Sequence, residues 1–185
     1  MGQLKLFAVY LGGRAPKANT ELHDVVFVVG RTIEDTYEQL LDQWFGSPEG
    51  LHLDSWLELD VVDGWRVSLS ETPSAGSEKL FFVNLGAYDH RFTELHATAF
   101  YVAGNATEAK ARAKAELLAG ANTAHKDDLH EIDDCIAVGM VNRRHVTLTK
   151  TGEAPSAKPN DGYHIVPRPA VEAYRKRFPT PPQTV

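Results

Sequence analysis

Cysteine is almost missing from this chain. Cys135 is the only one in 185 residues, which excludes an intramolecular disulfide and any multi-cysteine metal site and fits a reducing compartment. Basic charge is also scarce, with 19 Lys and Arg against 25 Asp and Glu and a formal net charge of −6. No basic stripe is present to neutralise a row of phosphates, so nucleic acid is not an expected partner. Long hydrophobic runs are lacking too. The apolar stretch from Leu4 to Leu11 is broken by Lys5 and has no basic segment before it. It is too short to span a bilayer and reads as a buried strand. No membrane association is expected, and the predicted location is cytoplasmic. Strong catalytic signatures are missing as well. Gly12-Gly13 has no G-x-G-x-x-G or P-loop continuation, which argues against phosphate binding there, and nothing beside Cys135 in the sequence would activate its thiol, so a buried, inert cysteine is expected.

What is present is a duplication. KLFAVYLGG at Lys5 to Gly13 returns as KLFFVNLGA at Lys79 to Ala87, and TELH at Thr20 to His23 returns at Thr93 to His96. VVFVVG ending at Gly30 corresponds to TAFYVAG ending at Gly104, and helical segments closed by Gly46 and Gly120 follow. The pattern H-x-D-x-x-x-E-x-D then occurs at His52, Asp54, Glu58, Asp60 and at His125, Asp127, Glu131, Asp133. These matches keep one order in both halves, which chance similarity does not do.

Each copy reads β-β-α-β-β. In the first copy, strands are expected over about 4–11 and 22–29. A helix follows, with Thr32 as N-cap, Asp35 at its third position, and Ile33, Tyr37, Leu40, Leu41 and Trp44 on one face. An alternating strand covers 51–61, and Asp63-Gly64 supplies a hairpin turn into 65–69. In the second copy the helix, about 106–119, is alanine-rich, and the hairpin around Gly139 to Arg144 is expected to be longer. The fold class is therefore α+β: two tandem ββαββ repeats at 1–72 and 73–150, with mainly antiparallel sheet, forming one compact pseudo-twofold domain. Residues 151–185 add a Pro-rich linker, an edge strand near Tyr163 to Pro167, a short helix opened by Pro169 and a frayed terminus.

Two sets of polar residues can carry chemistry. In an extended segment residues i and i+2 share a face, so Glu21 projects with His23 and Glu94 with His96. A carboxylate beside an imidazole orients its tautomer and raises its basicity, which makes these four the candidate catalytic groups. Meeting across a pseudo-twofold axis they would form a two-His, two-carboxylate metal site with His23 and His96 as ligands. A structural Glu-His pair that pins strand geometry is the alternative. The second set is the H-x-D-x-x-x-E-x-D strand, whose polar side chains, and Trp56 with them, share one parity. At about 3.3 Å per residue His52 and Asp60 are too far apart to ligate one ion, whereas His52 with Asp54, or Glu58 with Asp60, are not. His52, Asp54, Trp56, His125 and Asp127 are the candidate ligand-binding residues, against a solvated acidic face that discourages edge pairing.

The order KLFAVYLGG, TELHDVVFVVG, HLDSWLELDVVDGWRV, KLFFVNLGAYD, TELH resembles a bacterial family known only as a domain of unknown function, which occurs as one or two copies per chain. The resemblance covers about Leu4 to Leu148 and implies the repeat without implying an activity. Read out of phase, from the second strand of one copy to the first of the next, the elements are β-α-β-β-β, which is similar to the paired module of the glyoxalase and vicinal-oxygen-chelate enzymes. That similarity implies metal ligands where His23 and His96 stand. It also implies glutamates where this chain has Ser68 and Thr147.

The reading these observations favour is a small-ligand- or protein-binding module, expected as a homodimer and either without a cofactor or with a divalent metal. The competing reading is a metal-assisted hydrolase or lyase with a glyoxalase-like site built from the two Glu-Leu-His segments. A third is a structural protein whose acidic strand faces meet a basic partner.

Overall fold

A computed structural model describes residues 2–87, 92–117 and 132–178. The chain forms two compact units, Met1–Asp60 with Ser156–Val185, and Val61–Pro155.

The first unit is built on β1 (Lys5–Gly13), β2 (Leu22–Gly30) and β3 (His52–Glu58), with β11 (Asn160–Ile165) returning from the far end of the chain. They form one sheet in the order β11-β3-β1-β2, and all its pairings are antiparallel. Phe7, Val9 and Leu11 of β1, with Val26 and Val28 of β2 and Leu53 of β3, pack under α1 (Tyr37–Gln43) and α3 (Arg168–Arg177), which contribute Leu40, Leu41 and Val171. The near-continuous apolar run of β1 therefore faces the helices with one parity and leaves Ala8, Tyr10 and Gly12 on the other face.

Asp35 accepts the N–H groups of Arg31 at 3.1 Å and Thr32 at 3.3 Å, the returning half of a capping box. The helix nevertheless starts later than expected, because a 3-10 turn at Glu34–Thr36 comes first. On the open edge of β2, the Gln39 side chain accepts the Val29 N–H at 3.0 Å and donates to the Val29 carbonyl at 2.7 Å. One amide thus occupies both backbone groups of Val29 that would otherwise offer themselves to another strand.

The second unit holds β6 (Lys79–Ala87), β7 (Leu95–Ala103) and β8 (Ile132–Ala137) in the order β7-β6-β8, with α2 (Ala106–Leu117) on the sheet. Ala109 and Ala113 are fully buried among Phe81, Val83, Tyr101 and Ala103, so the alanine-rich face lets the helix sit close. Asn105 accepts the Glu108 N–H at 3.0 Å while Glu108 accepts the Gly104 N–H at 3.0 Å, a reciprocal cap.

The same unit holds both hairpins, β4 (Val61–Val62) with β5 (Trp65–Ser70), and β9 (Met140–Val141) with β10 (Arg144–Lys150), joined in one sheet ordered β4-β5-β10-β9. The second hairpin is not longer than the first. Asp63 and Gly64 have φ of 53° and 75°, Asn142 and Arg143 have 45° and 61°, and each pair is a two-residue turn of the left-handed kind that matches strand twist.

Candidate functional site

β1 pairs with β2 so that Gly12 stands opposite His23, and with β3 so that Gly12 stands opposite His52. His23, Gly12 and His52 thus form one row across three strands, on the face away from the helices. A β-bulge then interrupts β3. Tyr10 pairs with Ser55 and Leu11 with Leu53, which leaves Asp54 as the extra residue. A bulge turns its residue out of strict alternation, and the Asp54 carboxylate comes round beside both histidines. His52 Nε2 lies 3.3 Å from Glu21 Oε1 and 3.5 Å from Asp54 Oδ1, and His23 Nε2 lies 3.3 Å from Asp54 Oδ2. In sequence, Glu21-x-His23 and His52-x-Asp54 are separate candidates. The fold makes them one cluster within the first unit.

Gly12 is what gives the cluster room. A Cβ there would lie 2.4 Å from His52 Nε2 and 2.6 Å from Asp54 Oδ2, closer than any side chain tolerates. Gly13 is constrained in the same way by the Trp44 ring, 2.8 Å from where its Cβ would be. The Gly12-Gly13 pair thus serves close packing on a strand.

The electrostatics of the cluster are one-sided. His52 is 1% exposed, and its Nδ1–H donates to the Gly50 carbonyl at 2.8 Å. A carbonyl only accepts, so Nδ1 carries a proton, and the other ring nitrogen, Nε2, is the one turned into the cluster. The groups facing Nε2 are carboxylate oxygens of Glu21 and Asp54, which only accept when ionised. Despite the short approaches, neither His52 Nε2 nor Asp54 Oδ2 makes a hydrogen bond, and both atoms are buried. Such atoms cost about 1–3 kcal/mol each.

Aromatic rings border the cluster. Tyr163 lies 4.1 Å from the His52 ring, centroid to centroid, and Tyr10 stacks on His23 at 5.1 Å. Burial, and then the Asp54 charge, push the Tyr10 phenol above its ordinary range. The β11 segment that carries Tyr163 is held to β3 by backbone pairing and by Ser55 Oγ donating to Asp161 at 2.8 Å.

The remaining candidates fall elsewhere. The bulge overturns the expectation that His52, Asp54, Trp56 and Glu58 share one face. Trp56 packs against the hydrophobic core and meets His164 edge-on at 4.7 Å, and Glu58 pairs with Lys5 at 2.7 Å. The repeat of this strand is also not where the motif puts it. In the second unit Asn84 pairs with Asp134 and Leu85 with Ile132, so Ile132 and Asp133 occupy the places of Leu53 and Asp54. His125 and Asp127 lie outside the described residues. His96 stands opposite Gly86, as His23 does opposite Gly12, with its Nε2 3.7 Å from Glu94 and both side chains partly exposed. Cys135, on β8, has its thiol pushed up by burial, which suits an inert side chain.

Among the described residues no helix is long and apolar enough to cross a membrane. Also among them, no group of three or more His, Cys, Asp or Glu is placed so that it could hold a metal ion.

An α+β architecture in which a β-β-α-β core recurs, with a polar notch where two strand motifs of the first copy converge, defines the class. The chain belongs to the family described as Domain of Unknown Function (DUF1543), whose model matches residues 18–69 and 91–139, one stretch in each repeat. The first stretch contains Glu21, His23, His52 and Asp54, and the second contains Glu94 and His96. The chain is also similar to a protein solved in a crystal structure, Il1583 from Idiomarina loihiensis. The two are 37% identical over 89% of this chain and 99% of that one, with a TM-score of 0.71. No curated protein matches the chain.

Proposed function

We propose that this protein is a binding module whose first unit takes up a small positively charged ligand in the notch lined by Glu21, His23, His52 and Asp54. One observation carries the reading: a buried imidazole, held at Nδ1 by the Gly50 carbonyl, turns Nε2 toward two carboxylates without a hydrogen bond. A wall of acceptors is satisfied by a donor or a cation. An anion would be repelled by the two carboxylates.

The test is a thermal-unfolding screen of the full chain against inorganic cations, organic ammonium and guanidinium compounds, and a matched set of anions. A ligand at a hundredfold excess over its Kd adds about 2.7 kcal/mol, a shift of several degrees for a chain of this size. The reading requires that a cation stabilise the wild type and not Asp54→Asn. Stabilisation by anions, or by cations equally in both proteins, would refute it.

A further inference from the structure

We infer that the cation is a guanidinium group, whose N–H edges meet the carboxylates of Glu21 and Asp54 and whose flat face lies on the ring of Tyr163. This inference rests on the cation-binding reading and narrows it to one ligand chemistry.

No group of three or more His, Cys, Asp or Glu among the described residues is placed to hold a metal ion, which directs the reading to an organic cation. The carboxylates are within its reach. The side chains of Glu21 and Asp54 are 43% and 31% exposed, beside an imidazole that is 1% exposed.

Both carboxylates converge on one atom. Glu21 Oε1 and Asp54 Oδ1 lie 3.3 and 3.5 Å from His52 Nε2. The other Asp54 oxygen, 3.3 Å from His23 Nε2, makes no hydrogen bond. Protonation of His52 Nε2 would supply one hydrogen against four carboxylate oxygens. An ammonium offers three diverging donors. A guanidinium offers five in one plane, paired along its edges, so that one group can meet two neighbouring carboxylates with two-pronged contacts.

The aromatic rim favours the same shape. On β11, Asp161 pairs with Ser55 and His164 with Leu53, so Gly162 and Tyr163 stand opposite Asp54 outside the regular ladder. Gly162 has a φ of 151°, a backbone state that favours glycine. This bulge brings the Tyr163 ring to 4.1 Å from His52 while leaving it exposed. A planar, weakly hydrated guanidinium stacks on such a ring, whereas an ammonium is strongly hydrated. Tyr10, stacked on His23, extends the aromatic border on the side of β1.

Two sources share this chemistry, a free guanidino compound and the arginine side chain of a protein. Calorimetric titration of the full chain at pH 8, where an ordinary imidazole is neutral, uses methylguanidinium, N-acetylarginine methylamide and the matching lysine derivative. We expect the arginine derivative to bind at least about tenfold more tightly than the lysine one. Glu21→Gln and Asp54→Asn should each weaken it by about tenfold, and Tyr163→Leu by about two- to fivefold. His96→Gln should change nothing. Circular dichroism confirms that each variant is folded. Methylguanidinium binding as tightly as the arginine derivative supports a free compound as the ligand, and tighter binding of the arginine derivative supports a protein side chain.

Equal binding of the arginine and lysine derivatives would overturn the guanidinium assignment, as would arginine binding unchanged in both Glu21→Gln and Tyr163→Leu. If neither guanidinium probe binds while another cation stabilises the wild type and not Asp54→Asn, the guanidinium assignment fails and the cation-binding reading stands. If no cation binds, both fail.

Discussion

Gly12 and His52 face each other across β1 and β3, and the only side chain compatible with that pairing is a hydrogen atom. A methyl group on Gly12 would sit 2.4 Å from His52 Nε2. Gly12 lies in a regular strand with no positive φ, so the demand for glycine is steric and has nothing to do with backbone freedom. Gly12→Ala should cost about 1–3 kcal/mol through overpacking, read as a lower urea midpoint, and should remove ligand binding with it. Unchanged stability would mean that His52 moves aside freely, and the close approach to Gly12 would carry no constraint on the notch.

Tyr163 covers the His52 imidazole. Its ring rests 4.1 Å from His52 while itself remaining largely exposed. Tyr163→Ala should therefore cost little in stability, about 0.5–1.5 kcal/mol, and should open the imidazole to solvent. Acylation by diethyl pyrocarbonate, mapped by mass spectrometry, should leave His52 protected in the wild type and modify it in the variant at a rate approaching that of the exposed His23. Continued protection in the variant would assign the burial of His52 to other groups.

Much of the architecture is legible in the amino-acid sequence. The duplication, the buried first strand, the Asp63-Gly64 turn and the late edge strand and helix all follow from apolar runs, turn chemistry and proline placement. The site is legible only as fragments. Glu21-x-His23 and His52-x-Asp54 are 31 positions apart at His23 and Asp54, and only the pairing of β1 with both β2 and β3 unites them. The bulge at Asp54 leaves no mark, because the alternation of Leu51, Leu53, Leu57 and Leu59 reads straight through it. One residue does carry a signal. A glycine inside an apolar strand often marks close approach by another group, and Gly12 recurs as Gly86 in the second copy. The misplacement of the third strand in that copy has a related cause. The spacing of His, Asp and Glu matches at an offset of 73, whereas the strand register matches Leu53 to Ile132, an offset of 79.

Tyr101 offers a test in the second unit. Its side chain is 2% exposed, its hydroxyl makes no hydrogen bond, and the Arg112 guanidinium lies over its ring at 4.7 Å. Burial, reinforced by the nearby Glu116 carboxylate, pushes the phenol up to about 12. Between pH 10 and 12 the unfolded chain has released this proton and the folded chain has kept it. Its contribution is therefore fully present below pH 10 and is lost as pH rises toward 12, at about 1.4 kcal/mol per unit. Tyr101→Phe should match the wild type within about 0.5 kcal/mol at pH 7, since no partnered hydroxyl is removed, and should become the more stable protein at pH 11. Urea denaturation at the two pH values reads the difference, and the other raised tyrosines, common to both proteins, cancel.

The two hairpins supply the last prediction, because they are copies of one turn with different residues in it. Asp63-Gly64 places glycine at φ 75°, whereas Asn142-Arg143 places a long side chain at φ 61°. A left-handed residue with a Cβ costs about 1–2 kcal/mol, and glycine in its place returns part of that to the extra freedom of the unfolded chain. Arg143 is exposed, so its replacement removes no core packing. Arg143→Gly should therefore stabilise the second unit by about 0.5–1 kcal/mol, seen as a raised urea midpoint with an unchanged slope. The reciprocal change, Gly64→Arg, should destabilise by more. Its Cβ would also approach the Gly152 Cα at 3.2 Å, and the neighbouring Asp63 carboxylate accepts the Val102 N–H at 2.7 Å and Arg112 at 2.8 Å. Equal and opposite effects of the two substitutions would show that turn conformation alone matters. A larger loss at Gly64 would show that the first hairpin is also fixed by its contacts.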